Sequence, residues 1–246
     1  MFEEELEKAA LACGLPLNAN QIEKFGIYYA LLIEWNQRMN LTAITEPKEV
    51  AVKHMIDSLM TLRGIEAEAS CRMIDVGTGA GFPGIPLKIF LPDLHLVLLD
   101  SLKKRVRFLE TVSAALGFSD VECLHGRAEE AAREQRLREQ FDVAVSRAVA
   151  RLPVLAEYLL PFVRRGGRAI ALKGMRYREE VEDARRAVQL LGGNGIKAIP
   201  VALPGLDDQR AIVVMEKVRA TPKAYPRKAG TPAKEPLKEV QKKDDI

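Results

Sequence analysis

The residues with the most chemical content form one block, Asp75-Val76-Gly77-Thr78-Gly79-Ala80-Gly81-Phe82-Pro83-Gly84, and a second acid, Asp100, follows nineteen residues after Gly81. Glycines at this spacing let a strand turn tightly and bring bare backbone against a ligand, because a Cβ would obstruct both. An acid closing the next strand is placed to accept hydrogen bonds from ribose hydroxyls. Together they predict a site for a cofactor that carries a nucleoside. Gly79 to Gly84 satisfies G-x-G-x-x-G formally. Its first glycine nevertheless comes two residues late for a dinucleotide fingerprint, and Pro83 interrupts the helix start that a pyrophosphate needs. A carboxylate at Asp75 would repel a pyrophosphate and attract the ammonium of S-adenosylmethionine, which makes the latter the expected cofactor and a nicotinamide dehydrogenase the weaker reading. Gly84 is followed by Ile85, so the G-x-x-x-x-G-K-[ST] loop of a nucleotide triphosphatase is missing.

Cations recur just after successive β-rich runs: Lys103, Lys104, Arg105 and Arg107, then Arg127, then Arg147 and Arg151, then Lys173. In open α/β sheets the carboxyl ends of the strands form the ligand crevice, so these charges should converge around the cofactor. The cluster at 103–107 opens a helix, where cations oppose the dipole at about 0.3 to 1 kcal/mol. Phosphate binding would explain that placement. With Arg227 and Lys228 downstream, the set fits an RNA backbone. No helix is both basic and strongly apolar, which disfavours a membrane surface. His54, Asp57 and Ser58 share one helical face, but the chain has no G-x-S-x-G elbow, so structural pairing or a wall of a substrate cleft is expected instead of hydrolysis. His95 and His125 lack ligand spacing, and no metal site is expected.

These groups need a scaffold, and 246 residues with 48% hydrophobic and 29% charged side chains suffice for one α/β domain with additions at its ends. Residues 1–70 read as a helical extension: Ile22, Phe25, Tyr29, Leu32 and Ile33 recur at helical spacing after an Asn20/Glu23 start, and a second helix starts near Pro47 with Thr45 as cap. Residues 71–218 alternate strands with helices: Met73 to Val76, Leu94 to Leu99, Val121 to Leu124, Phe141 to Val145 and Arg168 to Leu172. Such alternation implies a mainly parallel sheet covered on both faces. Ile196 to Leu203 and Ala211 to Met215 should close it as an antiparallel hairpin, giving seven strands. Residues 219–246 read as an extended basic tail, with six basic residues against Glu235 between 219 and 238. Cys13, Cys71 and Cys123 are odd in number and scattered, which suits a reducing cytoplasm. The start lacks a signal peptide and no run is long enough to span a membrane, so a soluble, cytoplasmic chain is expected, monomeric by preference.

Trp35-Asn36 with Asn40-Leu41-Thr42, His54 with Asp57-Ser58, the block from Asp75 to Pro86, Asp100-Ser101, Ser146-Arg147-Ala148, and Tyr225-Pro226-Arg227-Lys228-Ala229-Gly230-Thr231-Pro232 resemble the bacterial 16S ribosomal RNA (guanine-N7)-methyltransferases, the glucose-inhibited division protein B family. The resemblance spans nearly the whole chain, whereas the bare Asp-x-Gly-x-Gly is shared by class I methyltransferases at large. It implies a class I, Rossmann-like fold that uses S-adenosylmethionine to methylate a guanine in a hairpin loop near the decoding centre. It also implies that Gly77, Phe82, Asp100, Ser101, Leu102, Ala128, Glu129 and Arg147 surround the cofactor beside Asp75, Gly79 and Gly81, with Glu129 at the adenine edge. Ser146-Arg147-Ala148 lacks the Asn/Asp-Pro-Pro-aromatic signature of exocyclic amine methylation. Guanine N7 carries no proton and has an in-plane lone pair, so positioning and electrostatics suffice for its methylation. Arg147 is the first candidate to orient the base, with Lys104 and Lys173 as alternatives. Lys103, Lys104, Arg105, Arg127, Lys173, Arg227 and Lys228 would hold the RNA, either free 16S RNA or a partly assembled small subunit. A cofactor-binding assembly factor with little turnover is the alternative function.

Overall fold

The computed structural model describes residues 1–65 and 71–237. Two long helices come first, α1 (Phe2–Ala12) and α2 (Ala19–Met39). The start of α2 is a capping box made by Asn18 and Gln21, whose side chains accept each other's backbone N–H at 2.9 and 3.0 Å. It lies two residues ahead of the expected Asn20/Glu23 pair, which has the same spacing, so local pattern alone does not separate the two. Asn40 ends the helix in the left-handed conformation. Pro47 opens α3 (Pro47–Val50), as its fixed φ suits the first helical position, although Glu46 and not Thr45 is the capping residue. The chain continues through a wider π-helical turn, Ala51–Ile56, then α4 (Asp57–Leu59) and a 3₁₀ stretch, Met60–Gly64.

The alternating region is β1 (Arg72–Val76), α5 (Gly84–Phe90), β2 (His95–Asp100), α6 (Lys103–Ala115), β3 (Val121–His125), α7 (Ala128–Ala131), β4 (Phe141–Arg147), α8 (Leu152–Leu159), β5 (Val163–Lys173), α9 (Tyr177–Leu190), β6 (Gly193–Val201) and β7 (Arg210–Lys217). The sheet has the order β3-β2-β1-β4-β5-β7-β6. The five strands β1 to β5 are parallel, and β7 runs antiparallel to both β5 and β6. The expected hairpin is present, with its second strand on the inside. That order follows from burial: all but one residue of Ala211 to Lys217 is buried, whereas β6 is largely exposed or half-buried and takes the edge.

Side chains alternate across the pleat. Met73, Leu96, Leu98, Val143, Val145, Ile170, Leu172, Ile212 and Val214 point to the face covered by α1, α2, the π-helical turn, α5 and α6. Ile74, Val76, Ala144, Ala169, Ala171 and Val213 point to the face covered by α8 and α9. The N-terminal helices thus complete the first core layer and bring His54 and Asp57 to the carboxyl end of β4. Among the described residues no helix is long and apolar enough to cross a membrane.

Beyond β7 the backbone is mostly irregular, with one short helix, α10 (Thr231–Lys234). The segment is tied to the domain. The Lys217 ammonium is buried and donates to Leu160 O and Thr221 Oγ1, each at 2.6 Å, while Glu139 lies 3.1 Å away. Burial pulls the Lys217 ammonium down to about 8.

Candidate active site

The turn after β1 is shaped by Asp75. Its carboxylate is fully buried, and Oδ2 accepts from Thr78 Oγ1 at 2.6 Å and from Gly84 N–H at 2.8 Å. One acid therefore joins the end of the strand to the start of α5. Gly84 is needed for close packing, since a Cβ there would sit 2.6 Å from Leu98 and 2.9 Å from Asp75. Gly79 differs: its φ is +64° and a Cβ would meet nothing within 4 Å, so its bare backbone faces open space where a ligand can lie. Asp75 Oδ1 is buried and has no hydrogen-bond partner among the described residues. Burial pushes this carboxyl up to about 7. Through its hydrogen bonds to Thr78 and Gly84, Asp75 shapes the glycine turn.

Asp100 ends β2 beside this turn and is buried. Its Oδ2 accepts Gly79 N–H at 2.9 Å, its Oδ1 accepts Leu102 N–H at 2.8 Å, and Arg105 lies 3.5 Å away. Asp100 therefore fixes the glycine loop and the entry to α6 at once. Next to it is a cavity of about 180 Å³ lined by Gly77, Leu99, Ser101, Arg127, Ala128, Glu129, Val149 and Tyr158, among others. The structure brings together Gly77, Ser101, Ala128 and Glu129 from the segments that follow three different strands. Val149 and Tyr158 were not anticipated. No local pattern marks them; only the fold brings them to the cavity.

A larger cavity, about 470 Å³, lies across the ends of β4, β5 and β7 and is lined by Lys53, His54, Asp57, Arg147, Lys173 and Arg210, among others. Arg147 is anchored on several sides. Its Nη1 donates to Lys53 O and to Asp57 Oδ2, both at 3.1 Å, and its Nη2 lies 3.3 Å from His54 Nδ1. The guanidinium stands 4.6 Å from the centre of the Phe82 ring, which also packs against His54. Burial and the neighbouring Arg147 pull the His54 imidazole down to about 4, so it is neutral at pH 7. Its Nδ1 lies 3.1 Å from Lys53 O as well as 3.3 Å from Arg147 Nη2, and its Nε2 lies 2.7 Å from Thr42 Oγ1, so both ring nitrogens are engaged. Asp57 Oδ1 also accepts from Arg210 Nη1 at 3.1 Å, so one carboxylate holds two guanidiniums. Arg210 was missed in the sequence because 153 positions separate it from Asp57.

A profile of the family described as rRNA small subunit methyltransferase G (GidB) matches residues 21–212. The chain is 51% identical to the ribosomal RNA small subunit methyltransferase G of Alkaliphilus metalliredigens, over 92% of this chain and 94% of that one. It is 49% identical to the Desulforamulus reducens protein of the same name, over 94% and 97%. The chain belongs to this family. It is accordingly a methyltransferase that uses S-adenosylmethionine. Solved structures with low identity share its fold, such as a putative O-methyltransferase from Klebsiella pneumoniae (TM-score 0.57, 16% identity, covering 87% of this chain and 96% of that chain).

The residues fit that cofactor: the backbone at Gly79 is open, and Gly77, Ser101, Ala128 and Glu129 wall a cavity with an acid at its edge. The expected cations divide. Lys103, Lys104, Arg107 and Arg127 are exposed around the crevice, and Lys104 lines neither cavity. Arg105 is half-buried against Asp100. Lys173 does not offer a free charge to RNA or substrate: its side chain is 8% exposed, 2.6 Å from Glu180, and donates to Ala150 O. Arg227 is likewise committed, donating from its backbone N–H and Nη2 to Glu157, both at 2.7 Å. Lys228 is exposed. Glu180, on the helix that follows β5, neutralises Lys173, and Glu157, 70 positions away, neutralises Arg227; charge counting along the chain registers neither pairing.

Proposed function

We propose that the protein transfers a methyl group to N7 of a guanine in 16S ribosomal RNA, in the hairpin loop near the decoding centre. The carrying observation is that every proton acceptor lining the larger cavity is already engaged. His54 faces Arg147, Asp57 holds Arg147 and Arg210, and Glu180 pairs with Lys173 and accepts Leu152 N–H. A site without a free base suits a nucleophile that has no proton to lose. Bound S-adenosylmethionine supplies an electrophilic methyl on a sulfonium. Asp100, Ser101, Ala128 and Glu129 hold its nucleoside end, while the Asp75 turn leaves room for the remainder. Arg147 Nε and one N–H of Nη2 take no hydrogen bond among the described residues, so they can donate to guanine O6 and leave N7 in line. Asp57 beside them offsets the positive charge that methylation places on the base. Lys103, Lys104, Arg107, Arg127 and Lys228 hold phosphates.

The substrate is 16S RNA, free or within a partly assembled subunit, and the protein acts in the cytoplasm as a monomer. Purified protein with methyl-labelled cofactor should label 16S RNA in one of those two forms. Absence of label in both, with the cofactor bound, would overturn the proposal in favour of an assembly factor.

A further inference from the structure

The C-terminal segment reaches back to the smaller cavity. Gly230 donates its backbone N–H to Glu129 Oε1 at 2.8 Å. Glu129 is 5% exposed and sits on α7, a helix of four residues with no side-chain cap. So short a helix does not hold its own side chains in place. Oε2 of Glu129 takes no hydrogen bond among the described residues, and the side chain lines the cavity. The segment that carries Gly230 is held along its length. Arg138 donates to Thr221 O at 2.8 Å and to Tyr225 O at 2.9 Å, and Arg133 donates to Pro226 O. Arg227 pairs with Glu157, which is wholly buried on α8 next to Tyr158, itself a wall of the cavity. Pro226 and Pro232 are buried.

We infer that residues 222–232 act as a clasp that positions Glu129, so that Oε2 accepts the exocyclic amine of the adenine and the enzyme discriminates adenosyl from inosyl ligands. The inference rests on the smaller cavity being the nucleoside half of the cofactor site. Glu129 touches the ligand, and Gly230, Arg227 and Glu157 are positioning residues that act through it. The sequence reading of this segment as an RNA-binding tail is thereby changed: its main charge contacts are internal, and its loss should be felt at the cofactor.

The test compares S-adenosylhomocysteine with S-inosylhomocysteine, in which a carbonyl replaces the amine, by calorimetry on the full chain and on a chain ending at Pro222. That shorter chain keeps the Lys217 and Arg138 contacts to Thr221. The full chain should prefer the adenosyl ligand by at least about tenfold, the loss expected for one charge-assisted hydrogen bond. The shortened chain should lose most of that preference. If it does not fold, Gly230→Ala serves in its place: φ is +82° there with open space around the Cβ position, so the change strains the turn without a clash, and the preference should again shrink. Equal weakening toward both ligands would mean packing alone and would overturn the clasp, as would an unchanged preference or a full chain with no preference. A full chain that binds neither ligand would instead overturn the cofactor-site reading.

Discussion

Asp57→Ala tests the arrangement of the base-facing arginines. Asp57 is 8% exposed and lies 3.1 Å from both Arg147 and Arg210, whose side chains are 14% and 23% exposed. A hydrogen bond to a charged group is worth about 1.5 to 3 kcal/mol. Two such bonds would sum to about 3 to 6 kcal/mol, but partial exposure lets water replace part of each, and both arginines keep other acceptors, Lys53 O for Arg147 and Asp208 for Arg210. A loss of about 2 to 4 kcal/mol is therefore expected in urea unfolding. Turnover should fall further than stability suggests, by about 100-fold, because without the shared carboxylate the two guanidiniums repel and Arg147 no longer holds one orientation. Asp57→Asn keeps an acceptor but no charge; it should recover most of the stability and little of the turnover. Denaturant midpoints and single-turnover methylation of 16S RNA read the two effects separately. Wild-type turnover in folded Asp57→Ala would refute the idea that this acid positions Arg147.

Asp100→Ala removes the acceptor for both Gly79 N–H and Leu102 N–H and should weaken S-adenosylhomocysteine binding at least about tenfold by calorimetry; unchanged affinity in a folded variant would take Asp100 out of the site. Burial raises Asp75 to about 7, above its ordinary 3.8, so its stability contribution is full below about pH 4 and is lost as pH rises through about 7. Asp75→Asn cannot ionise, and its melting temperature relative to wild type should therefore improve between about pH 5 and pH 8; a difference independent of pH would contradict the raised carboxyl. Replacing Lys103, Lys104 and Arg107 together by Gln should reduce the salt slope of RNA binding by about 2 to 3, at roughly 0.7 to 0.9 per phosphate. An unchanged slope would place the RNA elsewhere.

Much of this architecture was legible because it is local. Strand, glycine turn, helix and second acid follow one another within the 29 positions from Arg72 to Asp100, and each leaves a compositional mark. The seven strands were legible for the same reason, to within a few residues at their ends. What escaped depends on contacts that close late. Arg210 meets Asp57 and Arg227 meets Glu157 across separations of 153 and 70 positions, and no periodicity announces either pair. Lys173 reads as a free cation until β5 and α9 bring Glu180 beside it. The same holds for Gly230 and Glu129, 101 positions apart, which tie an expected tail to a residue lining the smaller cavity. The His54, Asp57 and Ser58 group was visible, but only the fold shows that His54 and Asp57 brace Arg147.

The central claim is methyl transfer to a guanine nitrogen that needs no base, and the identity of the methylated nucleoside tests it most directly. Small-subunit RNA from cells lacking the gene should be treated with the purified protein and cofactor, digested to nucleosides and analysed by mass spectrometry. One new 7-methylguanosine per RNA, located in the decoding-centre hairpin loop by cleavage at the methylated base, is the predicted result. A ribose-methylated or amine-methylated nucleoside would contradict the account, because either product requires a proton to be removed in a cavity whose acceptors are all engaged.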